Sequence, residues 1–162
     1  MGTRSGDLDP SVVTYIMQKE NLKPNEMSDI LNKKSGVYGI SRVSVDFRDI
    51  EVEAAAGGYH AKLALDIFHD TVANYITQCM VAMNGVDVIT FTAGVGEKGQ
   101  DSRQAICDKL ELFGVKLDKE INQAKKGIEG KISTPDSKVE VYVIPTNEEL
   151  VIARETKNLI SK

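Results

Sequence analysis

Apolar residues recur at three- and four-residue steps through the first half of this chain, then give way to short apolar runs. The opening residues are polar and end at Pro10, which predicts a loop followed by a helix over 11–20, with Val12, Val13, Ile16 and Met17 as its stripe. Pro24 opens a second helix to about Asn32, carrying Met27, Ile30 and Leu31, and Ser35 to Gly39 reads as a turn. A third helix starts near Asp46 or Phe47 and runs to Ala56, where Gly57-Gly58 ends it. The longest pattern covers Tyr59 to Met83. Leu65, Phe68, Val72, Tyr75, Ile76, Cys79, Met80 and Met83 form its apolar face, the signature of core or subunit interface.

The second half alternates. A strand over Val86–Thr92 meets a glycine turn and then a helix from Asp101 to about Phe113. Val115–Leu117 reads as a short strand, Asp118 as the cap of a helix to about Lys126, and Ile132-Ser133 as strand. Val139–Ile144 is a further strand, ended by Pro145-Thr146-Asn147, and a last helix runs from Asn147 or Glu148 to Ile160. Strands alternating with helices predict an α/β sheet with parallel pairs.

Composition narrows the function classes. The chain has 162 residues, 41% hydrophobic and 27% charged, which is enough for one ordinary globular domain. A net charge of −4, with mixed signs throughout, disfavours a nucleic-acid partner. No apolar run is long enough for a membrane span, and the polar start predicts no signal peptide. Cys79 and Cys107 lie in helical patterns and read as buried free thiols, as expected in the cytoplasm. His60 and His69 read as surface or helix-cap residues.

Four polar segments sit at element ends. In Phe91-Thr92-Ala93-Gly94-Val95-Gly96-Glu97, a strand runs through glycines into a helix, an arrangement that offers backbone N–H groups to phosphate; it also serves as a plain tight connection. It matches neither the P-loop nor the full dinucleotide fingerprint. Arg4 lies in a glycine-containing loop, where a guanidinium matches phosphate oxygens, although the residues alone favour a solvated loop. Asp46-Phe47-Arg48 reads as a helix cap and first turn, or as a contact for ribose and base. Glu148 and Glu149 either complement a helix dipole or offer a carboxylate to Mg²⁺ at a strand's end.

Together, Met1-Gly2-Thr3-Arg4-Ser5-Gly6-Asp7-Leu8-Asp9-Pro10, Asp46-Phe47-Arg48, Thr92-Ala93-Gly94-Val95-Gly96-Glu97 and Ile144-Pro145-Thr146-Asn147-Glu148-Glu149-Leu150 resemble the acetate kinases and related short-chain acyl kinases, in family order along the whole chain. The resemblance implies an α/β chain of the actin-like ATPase fold, which acetate and sugar kinases share with heat-shock chaperones and actin. This chain would be the helix-rich C-terminal domain with a small sheet, lacking that sheet's opening strands. It implies Arg4 as the catalytic arginine. It implies Asp46, Phe47, Arg48 and the turn Gly94, Val95, Gly96, Glu97, Lys98 as contacts for ATP or ADP, and Glu148 as the Mg²⁺ carboxylate. Lys98-Gly99 replaces the family's usual Asn-Ser, so Lys98 either adds charge near the nucleotide or points to solvent.

The resemblance also implies what is missing. Met1 matches an internal methionine of the family. An N-terminal domain would supply the acetate pocket, a catalytic aspartate, an asparagine near Mg²⁺ and another arginine. The active-site histidine and a phosphate-contacting His-Leu-Gly-Asn-Gly segment precede this chain's start as well. The expectation is therefore a cytoplasmic, homodimeric acetate kinase represented by its nucleotide side, inactive alone. The alternatives are a propionate or butyrate kinase, and a non-catalytic nucleotide-binding or interaction module.

Overall fold

The computed structural model describes residues 1–161 and divides into two compact units, Met1–Val72 and Ala73–Lys162. The first unit is helical: α1 (Pro10–Lys19), α2 (Pro24–Lys33), α3 (Gly36–Ser41), α4 (Phe47–Ala55) and the first part of α5 (Tyr59–Ala82). Local chemistry sets the boundaries. The Asp9 carboxylate caps α1 by accepting from the Ser11 N–H, and Asp46 caps α4 by accepting from Arg48 N–H, both at 2.9 Å. Val37, Ile50, Ala61 and Ala64 form the buried cluster here, with Phe47, Leu65 and Phe68 packed against it.

The predicted turn at Ser35–Gly39 is instead the start of α3, and the reason is a tertiary cap. The N–H groups of Ser35, Val37 and Tyr38 donate to the carbonyls of Thr3, Met1 and Gly2 at 2.9, 3.0 and 3.0 Å. The N-terminal segment thus satisfies donors that a helix start leaves orphaned. In return, Ser5 N–H and the Thr3 hydroxyl donate to the Leu31 and Asn32 carbonyls in the last turn of α2. Residues 1–5 are therefore tied down, where a solvated loop was expected. Gly36 makes this possible: its φ is +62°, and a Cβ there would lie 2.5 Å from the Met1 carbonyl oxygen.

α5 matches its predicted span, and its predicted face is borne out in part: Met80 is buried, Leu65 and Phe68 pack against the core, and Val72 and Ile76 are half-buried. Ala61, Ala64, His69, Ala73 and Met80 are buried, whereas Tyr75, Cys79 and Met83 are exposed. Three alanines, Ala61, Ala64 and Ala73, are among the most deeply buried residues of the helix, where the sequence pattern points to larger side chains. Cys79 is thus an accessible free thiol. Cys107 is buried as predicted, and that burial pushes its thiol up to about 12. His69 is a buried residue, not the surface or cap residue expected.

The second unit holds the end of α5, β1 (Val88–Phe91), α6 (Ala93–Lys98), α7 (Gln100–Asp108), a short 3-10 turn (Glu111–Phe113), α8 (Lys119–Ala124), β2 (Gly130–Lys131), β3 (Glu140–Val143) and α9 (Glu148–Ile160). The sheet order is β1-β3-β2. β1 runs parallel to β3, with Val88 opposite Glu140 and Phe91 opposite Val143; β2 is antiparallel to β3. Ile89, Phe91, Val141 and Val143 are buried, which fixes the register because a one-residue slip would expose them. Val115 and Leu117 contribute single bridges rather than a strand. The strand expected at Ile132-Ser133 falls two residues earlier. Ser133 instead turns its hydroxyl to the Val141 N–H at 3.0 Å.

Gly36→Ala should cost about 2–4 kcal/mol in urea unfolding, combining a strained positive φ with the clash on the Met1 carbonyl. It should also raise amide exchange in α3; an unchanged midpoint would refute the tertiary cap.

Candidate functional site

β1 and β3 are parallel and in register at their ends, so the segments that follow them emerge side by side. Ile144 N–H donates to the Phe91 carbonyl at 2.9 Å and prolongs the pairing by one residue. The chain after β1 turns into α6, and the chain after β3 runs through Pro145 and Thr146 into α9. This is where open α/β sheets place ligands. A pocket of about 500 Å³ opens there, lined by Ala93, Gly94, Glu97 and Lys98 on one side and Thr146, Asn147, Glu148 and Glu149 on the other.

The predicted glycine turn is itself helical. Its bend falls on Ala93, whose φ is +59°, and neither Gly94 nor Gly96 has positive φ. An alanine held in the left-handed region stores strain of about 1–2 kcal/mol. The glycines serve other ends. A Cβ on Gly96 would lie 3.3 Å from the Phe91 backbone carbon, so its absence lets α6 sit close on β1. A Cβ on Gly94 would meet nothing within 4 Å, and this residue leaves backbone exposed to the pocket.

Thr146 ties the two walls together. Its N–H donates to Glu97 Oε1 at 2.8 Å, and its hydroxyl lies 3.0 Å from the same oxygen. The hydroxyl also accepts from the Ala93 N–H at 3.1 Å and lies 2.7 Å from the Thr92 hydroxyl. A hydroxyl has one proton and two lone pairs, so the donation to Glu97 makes Thr92 the donor in that last bond. These bonds, led by the Thr146 N–H, hold the Glu97 carboxyl below its usual range. Asn147 caps α9 by accepting from Leu150 N–H at 3.0 Å, and Glu148 and Glu149 occupy its exposed first turn.

Arg103, within the helix predicted from Asp101 but not singled out in the sequence, is fully buried. Its Nη1 donates to the Gly96 and Glu97 carbonyls at 2.8 and 2.9 Å. Its Nη2 donates to the Asn122 and Lys125 carbonyls at 2.9 and 3.1 Å, and its Nε to Asn122 Oδ1 at 2.8 Å. A signal was available: Arg103, Ile106, Cys107 and Leu110 share the three- and four-residue spacing of one helix face, and the last three are apolar and buried. Desolvation lowers the pKa of this guanidinium.

Of the sequence-predicted residues, Gly94, Glu97, Lys98 and Glu148 therefore line one pocket. Val95 and Gly96 belong to the same short helix without lining it. Arg4, Asp46, Phe47 and Arg48 lie in the first unit. Arg4 is exposed on the anchored N-terminal segment. Asp46 and Arg48 pair with each other, Nε to Oδ1 at 3.0 Å, which draws the Asp46 carboxyl down to about 2. The Phe47 ring meets Phe68 edge-on at 4.7 Å, so it is partly committed to the core. Among the described residues, no group of three or more His, Cys, Asp or Glu side chains is placed to hold a metal by itself, and no helix is long and apolar enough to cross a membrane.

Comparison with known proteins gives consistent relatives. The family model described as the acetokinase family matches residues 1–154. The acetate kinase of Thermotoga petrophila is 57% identical over 164 aligned residues, which cover all of this chain and 41% of that protein. The crystal structure of Porphyromonas gingivalis acetate kinase superposes with a TM-score of 0.93 at 43% identity, covering 99% of this chain and 40% of the other. A propionate kinase from Francisella tularensis superposes with a TM-score of 0.90 at 39% identity, covering 98% and 40%. The chain thus spans about 41% of the length of the curated relative it matches.

Thr146→Val removes the hydroxyl but keeps the N–H, so carbon NMR should find the Glu97 pKa raised part of the way toward the ordinary glutamate range. A lowered carboxylate contributes stability that is present above its unfolded pKa and lost as pH falls through the folded one. The acid-side loss attributable to Glu97 should therefore be smaller in the variant and complete at a higher pH, with its onset, set by the unfolded chain, unchanged. An identical Glu97 titration in both proteins would refute the brace.

Proposed function

The chain belongs to the acetokinase family, and we propose that it forms the C-terminal, nucleotide-side part of an acetate kinase, which moves a phosphoryl group between ATP and acetate. One observation carries this reading: in a chain of this family, the glycine-bearing α6 and the Glu148 helix start wall one pocket at the carboxyl ends of two parallel strands. Both segments belong to the acyl-kinase resemblance, and so does the N-terminal segment, which on this reading lies inside the full-length enzyme. The proposed architecture is correspondingly a portion of the actin-like ATPase fold, with further strands supplied beyond β1. Among the described residues β1 pairs only with β3, and its other edge is available.

The roles follow from the chemistry. Phosphoryl transfer needs positioning and charge stabilisation more than covalent participation by the protein. Arg4, exposed on a segment fixed by backbone hydrogen bonds, is suited to stabilise the transferring group. The exposed backbone of Gly94 and the Lys98 ammonium suit the phosphate end of ATP or ADP. Arg48, paired with Asp46, is suited to the nucleotide at the cost of that pair, and Phe47 supports it from the core. Glu148 would hold Mg²⁺, which when bound supplies charge neutralisation to the phosphates. A single exposed carboxylate fits this ion, because Mg²⁺ keeps most of its waters and takes its other ligands from phosphate. Glu97 is occupied by Thr146 and acts as a brace for the pocket wall.

On this placement the isolated chain should have no measurable turnover, because the groups that orient acetate against the nucleotide would lie in the rest of the enzyme. Acetyl phosphate formation by the pure chain would overturn this. Co-expression with the N-terminal remainder of a relative's sequence should give acetate-dependent ADP formation, which Arg4→Ala should lower about 10³-fold or more. Complementation by a relative's C-terminal remainder would overturn the placement. A complemented enzyme that prefers propionate would favour the second reading, which the superposition on a propionate kinase supports. A complex that assembles and binds nucleotide without turnover would favour a binding module.

A homodimer is the proposed assembly, supported by outward apolar residues of α5 in the second unit: Tyr75 and Val81 are 45% and 75% exposed. Sedimentation should find a dimer that Val81→Glu with Tyr75→Glu dissociates. A wild-type chain that stays monomeric at high concentration would end this proposal.

A further inference from the structure

We propose that Arg103 is a positioning residue for the nucleotide site, acting through α6 and Glu97 without touching the ligand; this rests on the nucleotide reading above. α6 has only six residues, too few to hold its own shape by backbone bonds alone. Its last carbonyls need donors. Arg103 supplies two of them, to Gly96 and Glu97, and the Gly127 N–H gives a second bond to the Glu97 carbonyl at 2.8 Å.

The other end of the same guanidinium is anchored in α8. Asn122, itself fully buried, accepts from Nε through its side-chain oxygen and from Nη2 through its carbonyl, while its amide donates to the Gln100 carbonyl at 2.9 Å. One rigid fork thereby joins the end of α6, the start of α7 and the end of α8. All five of its N–H donors are used. Glu97 contributes its carbonyl to this fork and its carboxylate to Thr146 on the opposite pocket wall. Glu97 thus links the buried guanidinium to the β3–α9 connection, alongside the bond from the Ala93 N–H to the Thr146 hydroxyl. The linkage puts the exposed backbone of Gly94 at a fixed place relative to Glu148.

Lysine cannot reproduce the fork. It keeps the charge but reaches only part of the acceptor set from a single nitrogen. Arg103→Lys therefore separates geometry from charge. The variant should keep the far-UV spectrum of the fold. Amide exchange in residues 94–98 should rise at least tenfold relative to β1 and β3, and the Glu97 carboxyl should return toward an ordinary glutamate titration. The Kd for Mg-ADP, measured by calorimetry on the full chain, should rise about tenfold or more. Exchange that rises evenly across the chain, or an unchanged Kd for Mg-ADP, would overturn the proposal and leave Arg103 a structural residue only.

If the unsubstituted chain binds no Mg-ADP, the nucleotide reading of the isolated chain fails. Exchange in residues 94–98 and the Glu97 titration then decide the Arg103 linkage separately. If the variant does not fold, native-state exchange on the unsubstituted chain in rising urea decides. Arg103 Nε–H and the α6 amides should open with one common dependence on denaturant; α6 opening while Arg103 Nε–H stays protected would overturn the linkage.

Discussion

Phe91 and Val143 sit opposite each other at the carboxyl ends of two parallel strands, both side chains buried. Most of the second unit's chemistry depends on that pairing. Parallel strands deliver their following segments to the same side, so α6 and the start of α9 become neighbours although some fifty residues separate them in sequence. Apolar burial on β1 and β3 fixes the register. The polar contacts at Thr146 then convert adjacency into a defined pocket, with Glu97 and Thr92 reaching it from the α6 side. Shifting either strand by one residue would break both layers at once.

The first unit solves a different problem with similar means. Its elements are short, and several ends need partners that the local sequence does not provide. The backbone of residues 1–5 fills that need for α2 and α3, which turns the segment bearing Arg4 into an ordered edge. Asp46 serves as both cap and ion-pair partner, so one carboxylate fixes the helix start and the Arg48 side chain together.

Periodicity made the helices of the first unit and the two parallel strands legible, because apolar spacing records which face is buried. It failed where a tertiary contact overrode local signals. Ser35–Gly39 looks like a turn until Met1 and Gly2 cap it. The glycines at 94 and 96 look like the bend, yet Ala93 makes it, because the Thr146 hydroxyl holds its N–H. On α5 the apolar spacing was right for Met80, Leu65 and Phe68 but wrong for Tyr75, Cys79 and Met83, and it passed over the buried alanines. The pocket residues at Gly94, Glu97, Lys98 and Glu148 were readable as element ends. Their brace was not, since neither the pairing of Thr146 with Glu97 nor the buried fork of Arg103 follows from segments read one at a time.

α9 buries none of its residues, Glu148 to Ile160. A helix of thirteen residues with no packed face is marginal in water, and its hardest step is forming the first turn. That first turn is where Asn147 caps and where Thr146 is pinned to Glu97, so the anchored end works as a nucleation point from which the helix winds outward. Fraying then runs inward from Ile160, and the carboxylates facing the pocket are the last part of the helix to lose order. The pocket wall is thereby insulated from whatever happens at the far end of α9, and a surface that later covers this helix would lengthen its lifetime without having to rebuild the site.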